Sequence, residues 1–396
     1  ILYASDPHTA EMGPLHDWAA TFPLFHWGPI PWGFYLVLSA AFGFMLHVRK
    51  RTRQKYSEAC RPVLGNKVDG IAGKLIDLIA VFALLAGTAT TFSLATPLLA
   101  GAISSVTGIP QSTGLTLVIL VIVCAIYTFS VYFGMKGVQL SAATCTWLFF
   151  GLLAYVFFFG GQTRFIIEEG ITALGNMTQN FIGLATWTDS LRTSSFPQTW
   201  TIFYWAYWMV WCVAVPFFIG SISKGRTLRQ VILGGYVFGL SGTFTSFIIM
   251  GNYGLGLQMH GKLDVLSSYA ADGNLYHAIL DILGQLPLSK AVLVLLVLCM
   301  ITFYSTSFDS ITMVASTYTY KKLQSDEEPH RNVKLFWAIF LILLPLALIF
   351  SENSMSNLQT VSIIAAFPVG IIMLLIISSF FKDADAYLKE QANPPE

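Results

Sequence analysis

Three features of the sequence predict an all-α polytopic membrane protein: a shortage of charge, long apolar runs, and basic residues confined to alternate loops. Lys and Arg number 22 and Asp and Glu 21, together 11% of the 396 residues, against about 25% in soluble globular domains. Apolar residues make up 55%, and the mean hydropathy is +0.65. A soluble domain needs a charged surface and a nucleic-acid binder needs a basic stripe, so this composition excludes a soluble enzyme, a disordered chain and a nucleic-acid partner. The partner it implies is the lipid bilayer. A net charge of +1 says nothing further about partners.

About 20 apolar residues cross the hydrocarbon core as a helix. Nine runs qualify, at 30–48, 75–104, 114–135, 138–160, 199–223, 227–257, 289–318, 332–351 and 357–381. Several exceed a straight crossing, so they must tilt, bend or project. Ile1–Ser5 reads as the stub of an earlier span.

Loop charges orient the runs. Residues 49–67 hold seven basic residues and one acid and face the cytoplasm by the positive-inside rule. Alternation then places 106–113, 161–198, 258–288 and 351–357 outside. Lys136, the SKGRTLRQ loop with Lys224, Arg226 and Arg229, the stretch from Lys321 to Lys334 and the C-terminus fall inside. Every strongly basic loop lands on one side. Residues 6–29 fall outside, with Asp6, Glu11 and Asp17 and no Lys or Arg. Residues 162–184 and 275–286 are amphipathic and too short in apolar residues to span, so they are expected to lie at the outer interface.

The strongest chemical signal is aromatic. Phe, Trp and Tyr are 14% of the chain. In WTIFYWAYWMVW, Trp200, Tyr204, Trp208 and Trp211 are spaced to stack on one helix face, with Tyr207 beside them. An interfacial belt stays in one band, and this stripe overruns it by two turns or more. A second cluster, FHWGPIPWGFY, supplies Trp27, Trp32 and Tyr35. Indole faces bind a quaternary ammonium, which has no N–H to donate, at about 2 kcal/mol per desolvated contact. Packing between helices accounts for the spacing equally well.

The second signal is FYSTSFDS at 303–310, where Ser305, Thr306, Ser307, Asp309 and Ser310 put five oxygen-bearing side chains at bilayer depth. An intramembrane Asp is costly and usually functional, and hydroxyls with unwound carbonyls suit Na⁺. Hydrogen bonding between helices is the alternative. The glycine-containing runs 85–97 and 233–242 read as small faces for close packing, with Thr88 a weaker candidate for an ion ligand. The five cysteines and seven histidines show no metal spacing, and no nucleophile–base set or phosphate loop is present, so no enzyme and no cofactor beyond a coupling ion is expected.

These motifs, WTIFYWAYW followed by SISKGRT, FHWGPIPW with Tyr35, and STSFDS, resemble in order and position the signatures of the betaine/choline/carnitine transporter (BCCT) family. The resemblance covers essentially the whole chain. It implies a LeuT-like fold of two inverted five-helix repeats with substrate at the midplane, and often a homotrimer. Residues 1–160 would be the rest of the first repeat, 161–198 an outer helix and loop, 199–381 the second repeat, and 382–396 a short cytoplasmic tail. Family members usually have twelve spans, so the resemblance implies that two leading helices and most of the next precede Ile1.

It places the family's aromatic box on Trp27, Trp32, Tyr35 and Trp208, further lining positions on Tyr207 and Trp211, and outer-mouth aromatics on Tyr204 and Trp200. A sodium site would draw on Phe303, Thr306 and Ser307. Tyr207 stands where the pattern more often has Trp, and Ser221 where it often has Arg. Sodium-independent carnitine antiporters of this family resemble the chain in ATPL at Ala95–Leu98, but carry an Arg where it has Gln139 and a Met where it has Val215. The expected function is import of a betaine-, carnitine- or choline-type substrate across a bacterial inner membrane by Na⁺ symport. Na⁺-independent antiport is the runner-up, ahead of an amine-binding channel or receptor and an amino-acid carrier on the same fold.

Overall fold

The computed structural model describes residues 12–132, 135–324, 327–349 and 355–393. These form helices joined by turns and loops, with no strand among them. Each of the nine apolar runs becomes a helix or a helix pair. The first is α1 (Leu15–His26) and α2 (Pro29–Gly43), continued by one wider turn over Phe44–Val48. Pro29 opens α2, where the N–H it lacks would have no intrahelical partner anyway. Next come α3 (Ile71–Thr107), α4 (Thr113–Tyr132) and α5 (Met135–Phe159). The amphipathic helix α6 (Thr163–Gln179) buries Ile166, Ala173 and Met177 and turns Arg164 and Glu168 outward.

The aromatic run forms α7 (Pro197–Trp211), which meets α8 (Val215–Ile222) at a 45° bend. The span α9 (Leu228–Met259) follows. It starts on a capping box in which Thr227 Oγ1 accepts from the Gln230 N–H (3.2 Å) and Gln230 Oε1 from the Thr227 N–H (3.0 Å). The chain ends with α10 (Leu275–Gly284), α11 (Ser289–Thr317), α12 (Arg331–Ile349) and α13 (Met355–Ala392).

Among the described residues, seven helices are long and apolar enough to cross a bilayer, or eight if the bent pair counts as one. The eighth run, α12, continues into residues outside the described set. The 37 residues of α3 extend about 55 Å at 1.5 Å per residue, well beyond the hydrocarbon thickness, and Gly108 in the left-handed region ends the helix. Two boundaries differ from expectation. The first apolar run is preceded by α1, in which Trp18, Phe22 and Phe25 bury one face of a segment that alternation of the loops places outside. The last helix runs on through residues 382–392, so most of the expected tail is helical.

Small residues set the helix spacing. A Cβ on Gly220 of α8 would lie 2.8 Å from the Gly43 backbone nitrogen and 3.0 Å from the Ser39 carbonyl of α2. In the two glycine-containing runs, Gly87 lies against Val210 and Trp211, Gly235 against Leu36 and Gly239 against the Trp32 ring, as close packing requires. Thr88 spends its hydroxyl on the Leu84 carbonyl of its own helix (2.6 Å).

The basic loop after the first span is fastened to α13. Arg49 donates to Asp383 (2.9 Å) and Glu390 (2.6 Å), and Arg51 to Asp383 (2.7 Å). Arg61 pairs with Glu58 and Asp69 within the loop.

Candidate functional site

The two aromatic motifs, about 175 residues apart in sequence, meet around one ring. The Trp208 ring of α7 lies 4.6 Å from Tyr35, 5.4 Å from Trp27 and 5.7 Å from Trp32, centroid to centroid. Trp32 and Tyr35 are 6.1 Å apart. Toward the other end of α7, Trp27 touches Tyr204 (6.0 Å), which stacks on Trp200 (6.0 Å). One residue out of line with that stripe, Tyr207 meets Trp211 edge-on at 6.3 Å. Helical spacing in α7 and the Trp27-to-Tyr35 run of the first span together produce a continuous aromatic wall. Trp208, Tyr35 and Trp211 are buried and the other rings half-buried.

Hydrogen bonds fix the wall's outer members. Trp32 Nε1–H donates to Thr243 Oγ1 (3.2 Å), and the Tyr207 and Thr91 hydroxyls share a bond of 2.7 Å. The Nε1–H of Trp208 has no acceptor among the described residues. The rings around Trp208 lie in edge or tilted contact. A cation is held when it lies within about 6 Å of a ring's centroid and over its face, so the rings must part to admit one between them.

The stretch 303–310 does not form one cluster. Phe303 is 43% exposed and edges onto Phe149 of α5 at 5.1 Å. Thr306 donates to the Thr302 carbonyl (2.8 Å), and Ser307 is exposed. Those three residues share the outward face of α11. On the opposite face Ser305, Asp309 and Thr312 are buried. Ser130 of α4 donates to Asp309 Oδ2 (2.7 Å). The second Asp309 oxygen and the hydroxyls of Ser305 and Thr312 have no partner among the described residues. Tyr304 and Phe308 stack on Phe92 of α3 (5.0 and 4.2 Å) and belong to the same core as Trp208 and Trp211. Thr306 and Ser307 carry hydroxyl oxygens of the kind an alkali cation takes, whereas Phe303 has only its main-chain carbonyl, which lies within the continuous helix α11. Ile1–Ser5, read as the stub of an earlier span, lies outside the described residues.

Residues 1–389 match the family model described as BCCT, betaine/carnitine/choline family transporter. The chain belongs to this family. BCCT proteins are multi-pass membrane transporters, not enzymes, in agreement with the apolar helices described above. The chain is 29% identical over 360 residues, 90% of its length, to a carnitine transporter of Acinetobacter baumannii, and the match covers 65% of that relative. It is 27% identical over 367 residues to an uncharacterised transporter, YeaV, of Escherichia coli, covering 92% of this chain and 76% of the relative. The chain thus spans less than two thirds of the length of the first relative.

Sequence reasoning missed four members of the BCCT chain's aromatic wall. Phe247 lies 5.6 Å from Trp27. His26 lies 5.3 Å from Tyr204 and bonds Thr201 through Nε2 (2.9 Å). Thr91 and Thr243 are the two hydroxyl partners already described. The threonines and Phe247 come from α3 and α9, and no local spacing links them to WTIFYWAYW. His26 stood beside Trp27 in FHWGPIPW but had no metal spacing to draw attention to it.

Proposed function

We propose that this BCCT chain carries out secondary transport of a quaternary ammonium compound of the betaine, carnitine or choline type, with substrate held by Trp27, Trp32, Tyr35 and Trp208. The observation that carries the reading is the convergence of three rings from the first span on Trp208 of α7. Recognition of a permanent cation without N–H groups calls for aromatic faces rather than hydrogen-bond acceptors. Tyr207 and Trp211 extend the lining, and Tyr204 stands nearer the outer mouth. The carnitine transporter among the relatives supports the substrate class.

The same reading couples transport to Na⁺, held in part by the Phe303 carbonyl and the Thr306 and Ser307 hydroxyls. Gln139 provides no fixed positive charge that could take the ion's place. Lone pairs on Thr306 Oγ1 remain after its hydroxyl has donated to Thr302, and they suit a cation. The fold proposed with it is the LeuT-like inverted repeat, and the assembly is a homotrimer, checked by the mass of the detergent-solubilised complex. The deciding experiment is uptake of labelled carnitine, betaine and choline into proteoliposomes, with Na⁺ or K⁺ outside and alanine as competitor. Saturable uptake that needs Na⁺ and ignores alanine is expected. Uptake unchanged in K⁺ would favour antiport, and competition by alanine would overturn the quaternary ammonium site.

A further inference from the structure

Away from the aromatic wall, three ligand types converge where the start of α1 packs on α6. His16 Nε2 lies 3.4 Å from Asp17 Oδ1 and 3.9 Å from Glu169 Oε2, and one ligand atom from each residue falls within 4.8 Å of the others. Glu169 is only 6% exposed, and its other oxygen, Oε1, has no partner among the described residues. A buried carboxylate with an unused oxygen is expensive unless a cation or proton reaches it. Burial and the neighbouring Asp17 charge raise the Glu169 carboxyl above its usual range, while His16 works against them. The group presents one imidazole and two carboxylates.

We propose that His16, Asp17 and Glu169 form a binding site for a divalent transition-metal ion of the Zn²⁺ class, fastening α1 to α6 on the outer side of the membrane. One nitrogen and two carboxylate oxygens, with a fourth position for water, is a set that Zn²⁺ accepts, at bonds of about 2.0–2.2 Å. Ligands on such bonds stand roughly 3.4 Å apart in a tetrahedron, so a pair at the 4.8 Å limit has to close by about 1.4 Å. Side-chain rotation of half-exposed His16 and Asp17 can supply that. A nitrogen ligand favours Zn²⁺ over Mg²⁺ or Ca²⁺, which take oxygen. Among the described residues no other group of three His, Cys, Asp or Glu meets this geometry. Both partners are structural: α1 leads into Trp27, and α6 is the amphipathic helix. A bound ion would therefore limit their relative movement.

The test is Zn²⁺ binding by the tag-free full chain in detergent, measured by equilibrium dialysis and by the shift in thermal unfolding. It requires no substrate and stands independently of the transport reading. One Zn²⁺ per chain is expected, raising the unfolding temperature and resisting a hundredfold excess of Mg²⁺. His16→Ala and Glu169→Gln should each weaken binding at least tenfold and remove the thermal shift. His260→Ala, at an outer histidine bonded to Gln162, should retain both, and circular dichroism reports whether each variant folds. Absence of saturable binding, or equal affinity in His16→Ala, Glu169→Gln and the parent, would overturn the site.

Discussion

The aromatic wall and the hydroxyl-rich stretch of α11 were the two strongest chemical signals, and the structure treats them differently. The aromatic residues of two distant motifs converge on Trp208. The five oxygen-bearing residues of one short motif separate onto two faces of a single helix. Residues i, i+4 and i+7 share a face of an α-helix, and residues about half a turn away oppose them. Ser305, Asp309 and Thr312 obey the first relation, whereas Phe303, Thr306 and Ser307 fall on the other side. Density along a sequence is therefore a weaker guide to a site than phase around the helix axis.

The largest test of this difference compares two phenylalanines on α11. Phe308 is buried and stacked on Phe92 at 4.2 Å, while Phe303 is 43% exposed. Phe308→Ala should destabilise the protein by about 3–5 kcal/mol in detergent unfolding, and Phe303→Ala by about 0.5 kcal/mol. Equal losses would mean that the two faces are not distinct.

Next in size is the wall itself. Trp208→Ala should weaken carnitine or betaine binding about thirtyfold, the equivalent of about 2 kcal/mol. Trp205→Leu should do much less, because Trp205 turns instead toward Phe25 at 5.5 Å. Equilibrium binding at both positions decides it, and matching losses would sink the ring arrangement as the recognition element. For the outward face of α11, Thr306→Ala should raise the Na⁺ concentration for half-maximal uptake about fivefold, the loss of roughly one hydrogen-bond-sized interaction. An unchanged Na⁺ dependence would remove Thr306 from the ion's ligands.

The smallest effect concerns the Tyr207–Thr91 bond of 2.7 Å. Tyr207→Phe and Thr91→Val should each cost about 1 kcal/mol of stability. Their double variant should cost clearly less than the sum. Strict additivity would show that the two hydroxyls are not coupled.

The spans were legible because the bilayer demands long apolar runs, and basic loops broke them at recognisable intervals. The aromatic residues were legible because their spacing within α7 matches the helical repeat. What escaped notice depended on partners far away in the chain. Helix α1 hid in a stretch with Asp6, Glu11 and Asp17 and no basic residue, which read as an outer loop, although Trp18, Phe22 and Phe25 already carried its buried period. The continuation of α13 past residue 381 depends on Asp383 and Glu390 meeting Arg49 and Arg51, and charge composition alone cannot pair them. Thr91 and Thr243 enter the wall only through tertiary packing.

The bend between α7 and α8 has a mechanical consequence. The outer half, Phe203–Trp211, packs on α13, whereas the inner half, Val215–Ile222, packs on α2. At that inner contact Gly220 meets Gly43 backbone to backbone, and His47 Nε2 reaches the carbonyls of both Gly220 and Ser221 (3.0 Å each). Pro216 has no N–H to offer the Cys212 carbonyl one turn back, so the joint at 212–214 is held by fewer backbone bonds than a continuous helix. Prying Trp208 away from Tyr35 and Trp32 thus calls for torsion at three residues while the Gly43–Gly220 clamp stays shut.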